Sequence, residues 1–489
     1  MKNRVKSWKK AFYTIEPNRV EFGMAIIICV LIYFTMYYAD NRDIFHVAFL
    51  TNEELFAGRS VNFLGVMTHP YGLVHQWICQ IWILPVNLLV HLFEFDFLNP
   101  YTFLWCKLSI IVFGTCCIKE IKGIAKTVGI EEKNVKWMLF LLITTILVTL
   151  PVFHVAQTDC MYLWLMLMGF HALLKRDIRK FVLWFALANS FKMISLFIFI
   201  PLVLLEEKKI MYVLRNLIIG GAIIPAQHLW YRVVGVLNGM IFPAQNSTES
   251  VTTAMQAVET RAEAMGGFYS RITKFTLFFE FPAVRKDYSA SLLIFLFVLF
   301  CIWCYKQKAE GIKEWYRLCL YTAVVSLAIF FITASPAPYW IIILYPYLFL
   351  LMYTNRQCLR FNLILEKAFT SMLFIVYVMS TFWVYGGAQT FEELFLAKWG
   401  IIPSGHEFQG VPNISGYLEK IGVGEVMPIV VAICLASIIG IIYVNYPKVR
   451  CDEELTEKYT IELQHGFAVV NVLLLFAWYV VNVILIGRY

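Results

Sequence analysis

Charge is scarce in this chain: only 15% of its 489 residues are Asp, Glu, Lys or Arg, while 60% are hydrophobic. So little polar surface cannot cover a single soluble core, which excludes an ordinary globular protein. An internal repeat, a low-complexity tract and a soluble domain are also missing. No basic stripe suits nucleic acid, because the net charge of +8 sits mainly in short loops and the N-terminus, where it sets orientation and meets anionic headgroups. Metal-ligand spacing is absent too: His69, His154 and His228 stand apart and read as structural. The lone CxxC pair, Cys301 and Cys304, lies in a membrane-length run with no second pair. Other cysteines, such as Cys29, Cys106, Cys116, Cys319 and Cys434, fall in apolar segments and pack as small hydrophobes. No small-residue cleavage site follows the first apolar run, so that run reads as a retained span.

What is present fits a multi-pass membrane protein. Mean hydropathy is +0.68, and the apolar runs predict an all-α polytopic transmembrane bundle of about eleven to thirteen membrane segments. Residues 1–487 read as a single integral membrane domain. Its first 205 residues form a core module with a first external loop at 39–70, and 206–487 add further spans with external loops at 237–287 and 386–424. The basic start MKNRVKSWKK precedes the apolar run Phe22–Tyr38 and favours a cytoplasmic N-terminus in a cell membrane, which turns the 39–70 loop outward. Residues 71–93 and 101–118 are both apolar enough to cross. If both did, the segment Lys119–Lys136, with five lysines against three acids, would face outward. His75, Gln76, Gln80, Pro85, Asn87 and His91 make 71–93 the polar member, so 71–118 reads as one net crossing with an interfacial or re-entrant part.

The later charges then fall into register. Lys175–Lys180, Glu206–Lys209, Tyr305–Arg317, Asn355–Arg360 and 446–462 all face the cytoplasm, provided that 181–205 does not cross singly. Two half-helices meeting at Asn189–Lys192 resolve that segment as a hairpin whose tip carries Lys192 to the outer side. A cation there suits a phosphate or pyrophosphate, with snorkelling as the plain alternative. Asp159 follows Gln157 and Thr158 at the start of an apolar run, and reads either as a helix N-cap or as a site acid. The first loop offers Asp40, Asp43, Glu53 and Glu54 beside Arg42, Arg59, His46 and His69, where a partly desolvated carboxylate would serve as a general base, or the loop forms a surface helix over 51–58. Tyr339 and Trp340 follow the Pro336–Pro338 turn and suit an aromatic belt or a substrate contact.

In their order these features resemble the GT-C superfamily of membrane glycosyltransferases, in the branch of the anchor-lipid mannosyltransferases and the bacterial polyprenyl-phosphate-dependent enzymes. Asp43, Ile44, Phe45 and His46 open the pattern, Gly58 follows, and His69, Pro70 and Tyr71 close it. Gln157, Thr158 and Asp159 are similar to the external Gln-x-Asp motif. Phe191 and Lys192, with Pro201 and Leu202, are similar to the helix break with lysine, and Pro338–Pro346 to the later aromatic segment. The resemblance covers the first 205 residues well and the rest loosely. It implies a lipid-linked sugar donor, a glycan or lipid acceptor, an inverting transfer at the non-cytoplasmic face, and Asp43 as base. On it, Asp159 positions acceptor or base, Lys192 with Arg42 and Arg59 holds the donor phosphate, and His69, Tyr71, Gln157 and Tyr339 contact substrate. Pro70 stands alone where the family often has two prolines. Thr158 and Cys160 flank Asp159 in place of a paired Asp-x-Asp, which leaves a divalent cation open as cofactor. A transporter or flippase of lipid-linked glycans would show two related halves or charges along a path through the membrane. A glycan polymerase or ligase would place its decisive residues in 237–287.

Overall fold

Inside hydrocarbon no water satisfies the backbone, so apolar runs of this kind fold as helices. The computed structural model describes residues 15–35, 40–65, 71–93, 97, 100–242, 276–277, 290–334, 336–380, 418–447 and 457–481, without the side chains of 40–43, 100, 276–277, 290–291 and 457–458. His69 and the greater parts of the loops at 237–287 and 386–424 therefore lie outside the described residues, as do the side chains of Asp40, Arg42 and Asp43.

The first half comprises α1 (Arg19–Tyr33), α2 (Asp40–Phe56), α3 (Leu73–Phe93), α4 (Pro100–Thr127), α5 (Glu132–Thr144), α6 (Ile146–His154), α7 (Asp159–Leu174), α8 (Ile178–Phe191) and α9 (Leu196–Glu206). Then come α10 (Ile210–Gly221), α11 (Ile223–Ile241), α12 (Leu292–Lys306), α13 (Ile312–Thr333), α14 (Leu344–Thr354), α15 (Leu359–Ser380), α16 (Val423–Val444) and α17 (Glu457–Tyr479). Among the described residues seven helices are long and apolar enough to cross a membrane, or eight with the bent pair α5–α6. The only strands among them are the two-residue pair Thr276–Leu277 and Ala290–Ser291. The chain is thus a helical, multi-pass membrane protein.

Local chemistry sets several boundaries. A capping box starts α1, with Asn18 Oδ1 accepting from the Glu21 amide (2.8 Å) and Glu21 Oε2 from the Asn18 amide (2.9 Å). At its other end Lys107 Nζ donates to the Thr35 carbonyl (2.6 Å), a buried cation at a helix C-terminus. The 67° bend between α5 and α6 falls at Thr145. There the hydroxyls of Thr144 and Thr145 bond to carbonyls of α5, that of Thr149 reaches across the bend to the Ile143 carbonyl (2.6 Å), and Pro151 removes an amide. The polar stretch after α1 is not all loop. Residues 40–56 form α2, whose Asn52 donates to Asn87 Oδ1 (2.9 Å) and whose Glu53 accepts from Asn87 (2.6 Å).

Contacts between distant segments tie the basic regions together at one end of the bundle. Lys136 pairs with Glu16 (2.7 Å), Arg356 with Glu131, and Arg176 with Glu206. The Tyr305 hydroxyl donates to the Lys208 carbonyl (2.7 Å), Arg317 to the Tyr446 carbonyl (3.2 Å), and Asn355 to Asn445 (3.0 Å). Every loop that the charges assign to the cytoplasm is represented in this one face. Beside Arg356, Glu131 is held below the usual carboxylate range, and burial pushes Lys208 down to about 8. At the opposite end the Tyr33 hydroxyl donates to the Leu104 carbonyl (2.7 Å), and Thr35 meets His154 (2.8 Å).

The same contacts decide the parity of 181–205. Straight, α8 and α9 with their turn would separate Arg176 from Glu206 by about 45 Å at 1.5 Å per residue, yet the two are ion-paired. Phe199 of α9 also packs on Phe181 (5.3 Å) and Phe185 (5.4 Å) of α8. The segment is therefore a hairpin with Lys192 at its tip. α8, with 14 residues, reaches about 21 Å, and the tip it carries is buried inside the bundle. The named contacts of α3 lie in that inner and far half, at the hairpin tip and through Trp82 on Trp105 (5.1 Å), although its length alone would allow it to cross.

Charge favours the basic face inside the cell, whereas Cys358 at that face is disulfide-bonded, which favours an oxidising compartment. Cysteine introduced at Lys180 or Lys313 is expected to stay unlabelled by an impermeant maleimide in intact cells, while one at Arg59 is labelled. The reverse pattern would place the basic face outside.

Candidate functional site

Two helix ends of opposite polarity make the site. Asp159 is the first residue of α7, and Lys192 caps the end of α8 with an extended backbone (φ −145°, ψ 139°). Each charge complements the macrodipole of the helix end it occupies. The two helices pack antiparallel across a short turn, close enough that a Cβ on Gly169 would lie 2.6 Å from Phe185. This brings Lys192 Nζ onto Asp159 Oδ1, with the two side chains 11% and 1% exposed. Lys192 therefore does not snorkel to the headgroups. Nor is Asp159 the N-cap, a position held by Thr158.

Aromatic faces complete the shell around the ammonium. Lys192 Nζ lies 4.4 Å from the ring centroid of Tyr71, 4.6 Å from that of Trp340 and 5.5 Å from that of Tyr162, distances at which a ring quadrupole attracts a cation. The Tyr162 hydroxyl is buried beside Asp159. The Trp340 indole N–H is buried with no acceptor among the described residues, an arrangement that costs about 1–3 kcal/mol in a folded protein.

The segment before α3 is pressed onto this tip. Tyr71 packs on His75 (4.6 Å), which meets Phe191 edge-on (5.4 Å). A Cβ on Gly72 would come within 1.5 Å of the Ser190 carbonyl oxygen, so only glycine fits there. Leu73 N–H donates to Gln227 of α11 (3.3 Å), and Asn189 donates to the Gly220 carbonyl (2.9 Å). Ser195 closes the turn by donating to Asn189 Oδ1 (2.6 Å).

Of the residues singled out in the sequence, Asp159, Lys192 and Tyr71 come together here. Gln157 is buried two residues before Asp159, and Tyr339 is buried beside Trp340, so neither Tyr339 nor the Trp340 N–H belongs to an exposed aromatic belt. Arg59 is exposed on the turn after α2. Arg42 and Asp43 lie on α2, with side chains outside the description, and His69 is outside it altogether. The acids Glu53 and Glu54 are engaged locally, Glu53 with Asn87 and His91 (3.0 Å), Glu54 with Ser60 (2.6 Å) and Asn62 (2.8 Å). Sequence reasoning passed over Tyr162 and Gly72, and weighed His75 only as part of the polar share of 71–93. Tyr162 had a detectable signal, lying three residues, about one turn, after Asp159 on the same helix face. Among the described residues no group of three His, Cys, Asp or Glu side chains gathers. A divalent cation on Asp159 would face the Lys192 ammonium, so the donor set here does not fit one.

An apolar groove of about 660 Å³ opens between α1, α4 and α5, lined by Phe22, Ile26, Val30, Ile118 and Phe140, with Glu16 and Lys136 at the basic end. A smaller cavity of about 100 Å³ shares Ile111, Ile118, Ile143 and Phe153 with it, and ends on Cys160 and Pro346. It reaches the helix that carries Asp159. No known family model matches the chain, and no curated protein or solved structure matches it.

Removing one member of a buried ion pair costs about 3–5 kcal/mol because the other charge is left uncompensated. Asp159→Leu or Lys192→Met alone is expected to lower thermal stability in detergent by that order, and the double variant to recover most of it. Equal losses in the double and single variants would show that the pair is not coupled.

Proposed function

We propose that this chain is a membrane glycosyltransferase of the GT-C class, which transfers a sugar from a lipid-phosphate donor to an acceptor hydroxyl with inversion, at the face opposite the basic end. The observation that carries the reading is the meeting of Asp159, Lys192, Tyr71 and Trp340 in one buried site, with α2, which bears Asp43, preceding the segment pressed onto it. The groove between α1, α4 and α5 suits the apolar chain of a lipid carrier. Seven long apolar helices, the bent pair and four shorter apolar helices among the described residues supply the helical frame this reading requires.

On this reading Asp43 takes the proton of the acceptor hydroxyl as its oxygen bonds to the anomeric carbon. The bond from that carbon to the phosphate oxygen breaks, and the lipid phosphate leaves on Lys192. Arg42 and Arg59 assist with the phosphate, Asp159 positions the acceptor, and Tyr71, Gln157, Tyr339 and His69 contact the sugar. A general base contributes about 10²–10⁴-fold. Asp43→Asn is therefore expected to lower transfer from a polyprenyl-phosphate sugar at least about 100-fold while the protein still inserts. Retained activity would pass the role to Asp40 or defeat the mechanism.

One observation favours a second reading, a transporter or flippase of lipid-linked glycans. Besides Asp159 and Lys192, the bundle buries Glu366 with Lys367 (3.6 Å) and Glu21 with His465 (2.6 Å), ionisable groups of the kind a path through the membrane uses. Reconstituted vesicles separate the two: translocation of a lipid-linked glycan with no sugar transferred would establish the transporter.

A further inference from the structure

The ammonium of Lys192 and the indole N–H of Trp340 belong to one buried site and have unequal fortunes. Lys192 Nζ lies over the Trp340 ring at 4.6 Å and is answered by Asp159, whereas the buried Trp340 N–H has no acceptor among the described residues. A cation beside a spare N–H is the donor set that binds an oxyanion. The carboxylate now on Lys192 occupies part of that place.

We propose that a phosphate or pyrophosphate oxyanion displaces Asp159 from Lys192 and accepts the Trp340 N–H, so that Asp159 is a resident stand-in for the anionic ligand. This rests on the reading of the site as the donor-phosphate site and adds to it Trp340 and an exchange of partners. Two anions sharing one buried ammonium would repel each other, so the ligand and Asp159 compete. Each protein charge has support once the pair opens. Asp159 keeps the N-terminal end of α7 and the buried Tyr162 hydroxyl beside it, and Lys192 keeps the C-terminal end of α8 and the faces of Tyr71 and Trp340. The pair also stands at a break in the helix, where Lys192 has extended backbone and a side chain can turn without unwinding a helix.

The test uses the purified full-length protein in detergent, with inorganic pyrophosphate as the probe and the unfolding temperature as readout. Wild type is expected to show a saturable upward shift. Lys192→Met should abolish it, and Trp340→Phe, which keeps the ring face and removes only the N–H, should weaken affinity about tenfold. Asp159→Asn has the diagnostic sign: with the resident competitor gone, it should bind pyrophosphate more tightly than wild type. A purely structural pair predicts no gain in affinity from Asp159→Asn, and that result overturns the exchange. Equal shifts in wild type and Lys192→Met also overturn it, by showing binding elsewhere. Should Asp159→Asn not fold, Trp340→Phe decides alone, because unchanged affinity there removes the second donor from the proposal. Binding with the expected variant pattern in a protein that transfers no sugar sinks the transferase reading only. Transfer activity without the gain in Asp159→Asn sinks the exchange only.

Discussion

A positive charge placed inside a hydrocarbon layer must find its partners within the protein, a carboxylate or backbone carbonyls, because water cannot supply them. Lys192 meets that constraint through Asp159, and much of the first half of the chain follows from it. The hairpin of α8 and α9 ends inside the bundle, α7 runs back alongside α8 so that its first residue reaches the tip, and Tyr71 and Trp340 turn their faces to the ammonium. Helix dipoles point the same way, since the positive end of α7 and the negative end of α8 converge where the acid and the base sit.

That the basic loops share one face was legible in the sequence because it depends on counting lysines and arginines in short loops, which does not require knowing how helices pack. The hairpin was legible for the same reason: a single crossing at 181–205 would have put Glu206 through Lys209 on the wrong face, and the Arg176–Glu206 pair shows the two ends together. Its depth was not, because the helix lengths after breaking depend on where Asn189 and Ser195 close the turn. The residues 40–56 read as loop since their polar side chains look solvated, whereas Asn52 and Glu53 spend their polarity on Asn87 of the next helix. Trp340 was weighed with Tyr339 as a belt residue or a substrate contact; nothing in the local sequence says that the turn of Pro338–Ile343 folds inward under the tip.

Other buried polar groups show the same rule at work without any link to the site. The Tyr345 hydroxyl meets Thr370 (2.7 Å), Thr370 donates to Glu366 (2.6 Å), Lys367 donates to Asn471, and Asn471 donates to Thr144 (3.0 Å). This chain of bonds joins α14, α15, α17 and α5 through the middle of the bundle. Each member is satisfied by the next, which gives the second half a fixed register. Its end on Thr144 lies one residue before the bend between α5 and α6.

Gly72 has one further consequence. With its backbone set against the Ser190 carbonyl so tightly that no methyl group would fit, the start of α3 and the hairpin tip cannot slide past each other. A methyl group at position 72 would wedge the two apart and lift Tyr71 from the face of the ammonium.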